Sequence, residues 1–495
     1  MSTLEYWQQQ AAQLVIEGRA FIDGEACDAS GGMTFPCFSP IDGRHLADVA
    51  NCQRDDVERA VAAARRSFEQ GVWSERSPRE RKAVLLRWAA LLREHADELA
   101  LLDTLDAGKT IADTTGGDLP AVIYCVEWFA EAIDKISGEL VPTDPHFLGL
   151  VTREAMGVVA AVVPWNYPLL MAAWKFAPAL AAGNSVIVKP SEKSPLSMLR
   201  AARLAHEAGV PPGVLAVLPG GGEVGEQLSL HMDVDCLAFT GSGATGRKVM
   251  HNAARSNLKR VWLELGGKSP NLVLADCPDL ARAAQASAAG IFANAGQVCS
   301  AGSRVLVQRA VMDEFIGHLL EAAQAYHPAN PLDPGTAMGA IVDYAQLDRV
   351  SGHIALARTQ ARLLCGGERV DARSGGYYLA PTIFACADTQ PAIANEEVFG
   401  PVLAVVPFDT IDEAVAIANG SEYGLAAAVW SGDPGTAHAV ARRLRAGTVW
   451  INCYDEIVDM NFPFGGYKQS GNGRDNSLHA LEKYTELKST IVRLR

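Results

Sequence analysis

From residue 158 onward, short apolar runs alternate with amphipathic stretches, and this alternation leaves few folds open to the chain. Strands are predicted at 158–163, 185–189, 215–219, 236–240 and 260–264, with helices between them at 169–182, 196–208, 223–230 and 244–254. A second series follows: strand 271–275, helix 278–293, strand 304–308 and helix 312–325. It resumes with strand 402–408, helix 411–419, strand 426–430, helix 436–444 and strand 448–452. Strands that are apolar on both faces and separated by helices build mostly parallel sheets covered on each side. The fold class is therefore α/β, with two such domains in series and a ligand cleft between them. Ahead of them, helices are predicted at 55–68, 78–105 and 120–136, and residues 137–155 read as an extended arm of strand.

Length and composition agree with this plan. At roughly 100 to 200 residues per domain, 495 residues make two or three domains with ample core. The net charge of −14 repels phosphate backbones and anionic lipid, so neither nucleic acid nor a membrane surface is an expected partner. The stretch 155–174 carries no charge, but Pro164, Asn166 and Pro168 in its middle make it a buried strand, a polar loop and a buried helix. Ten cysteines are scattered without a CxxC pair, the usage of a reducing compartment, and no metal spacing is visible. The start, MSTLEYWQQQ, has no apolar core and no basic residue before Arg19, so no leader is read and a cytoplasmic location is expected.

Two segments carry candidate chemistry. Gly241, Gly243 and Gly246 fit GxGxxG between a strand and a helix, where glycine lets backbone N–H groups approach a phosphate. A plain tight turn fits the same pattern. Glu264, about 20 positions on, is either a ribose ligand or a residue with another task. Cys299 differs from the other cysteines, lying in the small, polar turn Asn294-Ala295-Gly296-Gln297-Val298-Cys299-Ser300. It is read as a nucleophile or as a buried turn residue, and no histidine is paired with it in sequence.

Seven motifs then occur in one order: Pro164-Trp165-Asn166-Tyr167-Pro168, Lys189-Pro190-Ser191-Glu192, Phe239-Thr240-Gly241-Ser242, Glu264-Leu265-Gly266-Gly267-Lys268, Gly296-Gln297-Val298-Cys299, Glu397-Val398-Phe399-Gly400-Pro401 and Pro463-Phe464-Gly465-Gly466-Tyr467-Lys468. Over nearly the whole chain this resembles the NAD(P)-dependent aldehyde dehydrogenase superfamily. The resemblance implies a variant Rossmann NAD-binding domain at 1–136 and 156–264, a catalytic domain at 265–474, and an oligomerisation segment at 137–155 and 475–495. It implies Cys299 as the nucleophile, with the Asn166 amide and the Cys299 N–H as oxyanion donors, a contribution of about 3 to 4 kcal/mol per donor. Glu264 becomes the base that activates the deacylating water. Lys175 matches a lysine near the active site, or else serves a structural ion pair.

The cofactor implied is NAD, with NADP weaker because Glu192 faces the adenosine ribose while Lys189 partly offsets its charge. Gly241 and Ser242 lie near the phosphates, Glu397 and Phe399 near the nicotinamide, and Trp165 and Gly225 either line the groove or simply pack. A homo-oligomer, dimer or tetramer, follows if the arm pairs with a neighbouring subunit. The runs 462–487 and 16–24 look closest to the subgroup acting on γ-glutamylamino- and guanidino-butyraldehyde. The loop 453–460 would line the aldehyde entrance. Its carboxylates Asp455, Glu456 and Asp459, with Tyr454, Tyr167 and Trp174, would then suit a cationic or amide-bearing tail of polyamine or arginine breakdown. Acidic loop residues on so acidic a chain are also ordinary solvated surface, and a broad-specificity or betaine-type enzyme is the alternative. Ala295 and Gly243 depart from the commoner family residues. A non-catalytic relative would lack Cys299 or Asn166, an acyl-transferring one would lack Glu264, and a cysteine hydrolase would not need Lys189, Glu192 and Gly241 together.

Overall fold

The computed structural model describes residues 3–371, 373–457 and 459–494; Val458, within the expected entrance loop, lies outside the described residues, as do the first two residues of the start. Two seven-stranded sheets dominate. The first has the order Arg260–Glu264, Cys236–Thr240, Val158–Val162, Ser185–Lys189, Leu215–Val217, Ala20–Ile22, Glu25–Cys27. Its first five strands are parallel and the last two antiparallel. The parallel part starts in the middle, at Val158–Val162, and winds outward to one side and then the other. A crevice therefore opens at the carboxyl ends between Val158–Val162 and Cys236–Thr240, where open α/β sheets take ligands.

The second sheet runs Arg362–Cys365, Thr382–Ala385, Val402–Phe408, Arg304–Gln308, Pro270–Val273, Ala426–Trp430, Thr448–Ile451, antiparallel only at its Arg362 edge. Its strand Val402–Phe408 is buried at all seven positions, the mark of a strand covered on both faces. Both sheets are mostly parallel, as the alternation requires. The edge pair Arg362–Cys365 and Thr382–Ala385 and the helix Tyr344–Gln360 are additions the pattern did not reveal. That helix has only a weak apolar face, so its sequence does not show the period.

Three expectations are corrected. The helix expected at 78–105 is two helices, Pro78–Glu94 and Ala96–Ala107, broken at His95 (φ −102°, ψ 22°). The first opens with Ser77 and Glu80 capping each other, and the second stops at Gly108 in the left-handed conformation. The N-terminal part is not helical alone: Ala20–Ile22 and Glu25–Cys27 extend the first sheet, and Thr34–Phe38 pairs with His45–Ala50. The arm does not wait for a neighbour to satisfy its backbone. Phe147–Ala155 pairs over its whole length with Thr485–Arg493 of the same chain, and Glu139–Val141 adds a third strand. Residues between Asp475 and Thr485 pack against the body, with Asp475 and Lys483 buried.

Trp88 shows how the N-terminal helices are pinned to the helices that cover the first sheet. It is fully buried, its ring lies 4.6 Å from that of Phe176, and its Nε1–H donates to the Ala201 carbonyl at 3.1 Å. Trp88→Ala is expected to cost about 3–5 kcal/mol, by lost transfer energy and the cavity left behind. A lowered denaturation midpoint, followed by circular dichroism against temperature, measures it.

Candidate active site

Loops from both sheets meet at Cys299. The turn before it is forced: Asn294 (φ 48°), Ala295 (φ 51°) and Gly296 (φ 70°) are successively left-handed. Two of the three are not glycine, so the strain must be repaid by fixed contacts. Gln297 supplies several. Its side chain donates to the carbonyls of Asn294 and Ala340 and accepts from the Val342 N–H at 2.9 Å. Gly296 presses on the Gly400 carbonyl, where any Cβ would collide, which explains why this turn and the Glu397–Pro401 segment need each other.

Asn166 enters from the first sheet, just past the end of Val158–Val162. Its Nδ2 donates to the Gln297 carbonyl at 2.8 Å, and its own carbonyl accepts from Asn294 Nδ2 at 2.9 Å. An Asn amide has two N–H groups, so one remains free beside the thiol turn. Tyr454 was expected at the aldehyde entrance, but it is buried and supports the turn from below. Its hydroxyl donates to the Ser300 carbonyl at 2.6 Å, and its ring fills the space above Gly290 and Gly302.

Glu264 ends its strand with its carboxylate buried and neither oxygen hydrogen-bonded to protein. Burial and the charge of Asp475 hold its pKa well above the usual carboxylate range, while Lys175, Lys483 and Arg474 pull it back. Lys175 forms a buried ion pair with Asp475, which also binds Lys483. Neither Asp475 nor Lys483 carries a sequence signal, because Lys and Asp are surface residues by default and nothing local marks a buried pair.

The Cys299 thiol is pushed up to about 12, by desolvation first and then by the charges of Glu264, Glu397 and Asp455. Asp455 is exposed and stands beside the thiol turn, where partial desolvation raises its pKa. Ser300 Oγ donates to it at 3.4 Å. Its loop neighbours are engaged elsewhere. Glu456 pairs with Arg282 at 3.1 Å, and Asp459 accepts from the backbone and side chain of Asn461 at 2.9 and 2.8 Å. Tyr167 lies in the field of Asp118, Asp455 and Cys299, and the Lys109 ammonium covers one face of its ring at 3.5 Å. Lys109 is in turn paired with Asp118 at 3.2 Å. Trp174 packs on Phe464 at 5.2 Å, and its buried Nε1–H has no partner.

A second group lines the carboxyl edge of the first sheet. Ser242 caps the helix Gly243–Arg255 and is exposed, leaving N–H groups of the first turn open to an anion. A Cβ on Gly241 would strike the Phe239 ring, and one on Gly246 would meet Leu265, so two of the three glycines serve close packing. Gly225 is less constrained, its Cβ position lying 3.8 Å from Val162. Buried Lys189 pairs with Glu192 at 3.3 Å. Toward the second sheet, Phe399 (φ 58°) meets Trp165 edge to face at 5.4 Å. Glu397 accepts from the Gly267 N–H at 3.0 Å, and glycine at 266 makes room for it. An exposed helix N-terminus and a buried lysine paired with a glutamate along the carboxyl edge of one parallel sheet fit a dinucleotide. Among the described residues there is no cluster of three or more His, Cys, Asp or Glu able to hold a metal, and no helix long and apolar enough to cross a membrane.

Comparison with known proteins places this architecture. The aldehyde dehydrogenase family model matches residues 27–490, and the chain belongs to that family. It is 52% identical to the NADP/NAD-dependent aldehyde dehydrogenase PuuC of Escherichia coli K12, over 99% of each chain. The γ-glutamyl-γ-aminobutyraldehyde dehydrogenase of Burkholderia cenocepacia J2315 superposes with a TM-score of 0.99 at 67% identity, covering 100% of both chains. An indole-3-acetaldehyde dehydrogenase solved with NAD+ superposes equally well, TM-score 0.99 at 55% identity, again over 100% of both.

Alkylation of Cys299 reads the thiol directly. With three carboxylates and no paired cation around it, the fraction of thiolate should rise about tenfold per pH unit from 7 to 9 in the protein alone. Iodoacetamide labelling of the Cys299 peptide, followed by mass spectrometry, is expected to accelerate in that proportion, and a rate flat across this range would contradict it.

Proposed function

We propose that the protein oxidises an amino-, guanidino- or γ-glutamylamino-aldehyde to its carboxylic acid, with NAD as the electron acceptor and Cys299 as the nucleophile. Once its thiol proton has passed to solvent, the Cys299 sulfur bonds to the aldehyde carbon as the C=O π pair moves onto oxygen, and the resulting alkoxide takes hydrogen bonds from the free Asn166 N–H and the Cys299 backbone N–H. NAD, when bound, supplies the hydride acceptor. The acyl group is then a thioester on Cys299. Glu264 takes a proton from water as the water oxygen bonds to the acyl carbon, the C–S bond breaks, and sulfur leaves with the electron pair. The observation that carries this reading is a buried carboxylate with both oxygens unbonded, in a site whose thiol turn is fixed by Asn166 and Gln297.

Lys189, Glu192, Gly225, Gly241 and Ser242 would hold the adenosine and phosphates, with Trp165, Glu397 and Phe399 at the nicotinamide side. NAD is favoured over NADP because a 2′-phosphate would meet the Glu192 carboxylate, with Lys189 moderating the difference. On this assignment the first sheet with its helices (1–136 and 156–264) is the NAD-binding domain, 265–474 the catalytic domain, and 137–155 with 475–495 the oligomerisation segment. Exposed Leu140, Leu487 and Ile491 on the ribbon support a homotetramer, and ten free cysteines support the cytoplasm.

Two experiments test the reading. Cys299→Ser should abolish aldehyde oxidation while NAD still binds, whereas Glu264→Gln should release one NADH per active site in a burst and then turn over slowly. Full steady-state rates in either variant would refute the roles. The substrate class rests on Asp455 and Tyr167 near the thiol turn, with Trp174 packed on Phe464 as the further aromatic, and on the names of the relatives. Butyraldehyde, 4-aminobutyraldehyde and 4-guanidinobutyraldehyde should rank with the cationic pair ahead in kcat/KM. Asp455→Asn should shrink that ratio about fivefold, of the order of 1 kcal/mol for one partly screened charge pair. A higher value for the uncharged aldehyde, or an unchanged ratio in the variant, removes the carboxylate from tail recognition.

A further inference from the structure

Lys175, Asp475 and Lys483 form a chain of three charges inside the protein, all three almost inaccessible to solvent. Each oxygen of Asp475 is taken by a different lysine. One lysine would already neutralise one carboxylate, and burying a second ammonium is expensive unless another anion faces it. Lys483 makes no ion pair other than the one to Asp475 among the described residues. The further anion whose charge acts on it is Glu264, whose two oxygens have no hydrogen-bond partner; Glu264 Oε1 and Arg474 Cδ both border Gly465, and Lys483 Cδ borders Gly473 next to Arg474.

The placement of Lys483 gives it no other evident task. It follows the short helix His479–Glu482 and stands two residues before the strand Thr485–Arg493. Its carbonyl accepts from Trp262 Nε1 at 2.9 Å, which ties this turn to the strand that ends in Glu264. Its Nζ lies 5.4 Å from the Tyr484 ring. The groups that act on Glu264 are therefore Lys175 from the helix Pro168–Ala181, Arg474, Asp475, Lys483 and Tyr484 from the tail, and Cys299 from the thiol turn. Arg474 directs its guanidinium to the carbonyls of Gly466 and Gly473.

We propose that Lys483 is a positioning residue for deacylation: sharing Asp475 with Lys175, it leaves the buried cluster with the cation that offsets an ionised Glu264. The proposal rests on the assignment of Glu264 as the deacylating base. Lys483 does not touch the reacting atoms. It fixes what fraction of Glu264 is able to take the water proton, and so the pH at which turnover sets in. Burial and Asp475 oppose ionisation of Glu264, and Lys175 and Lys483 favour it, so removing Lys483 should demand a higher pH for the same fraction of carboxylate.

The experiment is the pH profile of kcat together with the NADH burst, on the full-length enzyme with NAD and 4-aminobutyraldehyde. Lys483→Met is expected to move the acid limb up by about one pH unit, a loss of about tenfold on the limb that recovers at alkaline pH. Its burst should stay near one NADH per site. Lys483→Arg should restore the limb. Asp475→Asn should move it the other way, and this variant decides the matter by itself if Lys483→Met does not fold. A limb left at its original pH in Lys483→Met, an equal loss at every pH, or an upward or absent shift in Asp475→Asn overturns the proposal. Glu264→Gln run alongside separates the two readings. Full turnover there removes the base and the proposal with it, whereas a burst without turnover there and an unmoved limb in Lys483→Met removes the proposal alone.

Discussion

The hydrogen bond from the Asn166 amide to the Gln297 carbonyl is the contact on which the site depends. Asn166 belongs to a loop at the carboxyl edge of one sheet, and Gln297 to the strained turn that feeds the other. Returned by Asn294 to the Asn166 carbonyl, the contact is reciprocal and buried, where a lost partner leaves a polar group without water. It places the thiol of one half of the molecule against the amide of the other. Three successive left-handed residues would not persist in an unsupported loop. The Gln297 side chain, bonded to Asn294, Ala340 and Val342, and the collision surface of Gly296 on Gly400 over-determine the turn.

Electrostatics in the site are arranged around anions. Cys299 has Glu264, Glu397 and Asp455 near it, and three buried lysines of the site are committed to acids, Lys175 and Lys483 to Asp475 and Lys109 to Asp118. A thiol in such surroundings stays protonated at neutral pH, which protects it from adventitious oxidation and alkylation, since only the thiolate is reactive. Burial and the charge of Asp475 leave Glu264 reluctant to ionise, and the two buried lysines are the counterweight. Reactivity and resting stability are thus set by one small set of buried charges.

The ribbon of Glu139–Val141, Phe147–Ala155 and Thr485–Arg493 satisfies its backbone within the chain but leaves a row of apolar side chains outward. A two- or three-stranded ribbon with no core of its own is marginal in water. Its root is secured by the segment that carries Asp475 and Lys483, so the anchoring of the ribbon and the charge balance of the site share the same ten residues.

Much of this was legible in the chain itself. Alternating apolar strands and helices dictate two mostly parallel sheets, because a strand hydrophobic on both faces has to be covered twice. The motifs around Asn166, Glu264 and Cys299 are local in sequence, and each sits at the end of a strand or in a turn, where backbone geometry exposes it. What tertiary structure alone decided is what those residues meet. A break at His95, the intrachain partner of the arm, and the withdrawal of Tyr454 under the Ser300 carbonyl depend on contacts with residues remote in sequence. The pairing of Lys175 with Asp475, 300 positions apart, and the arrival of Lys483 on the same carboxylate have no local trace. A buried charge is chosen by the partner that folding brings to it, and a sequence records only the charge.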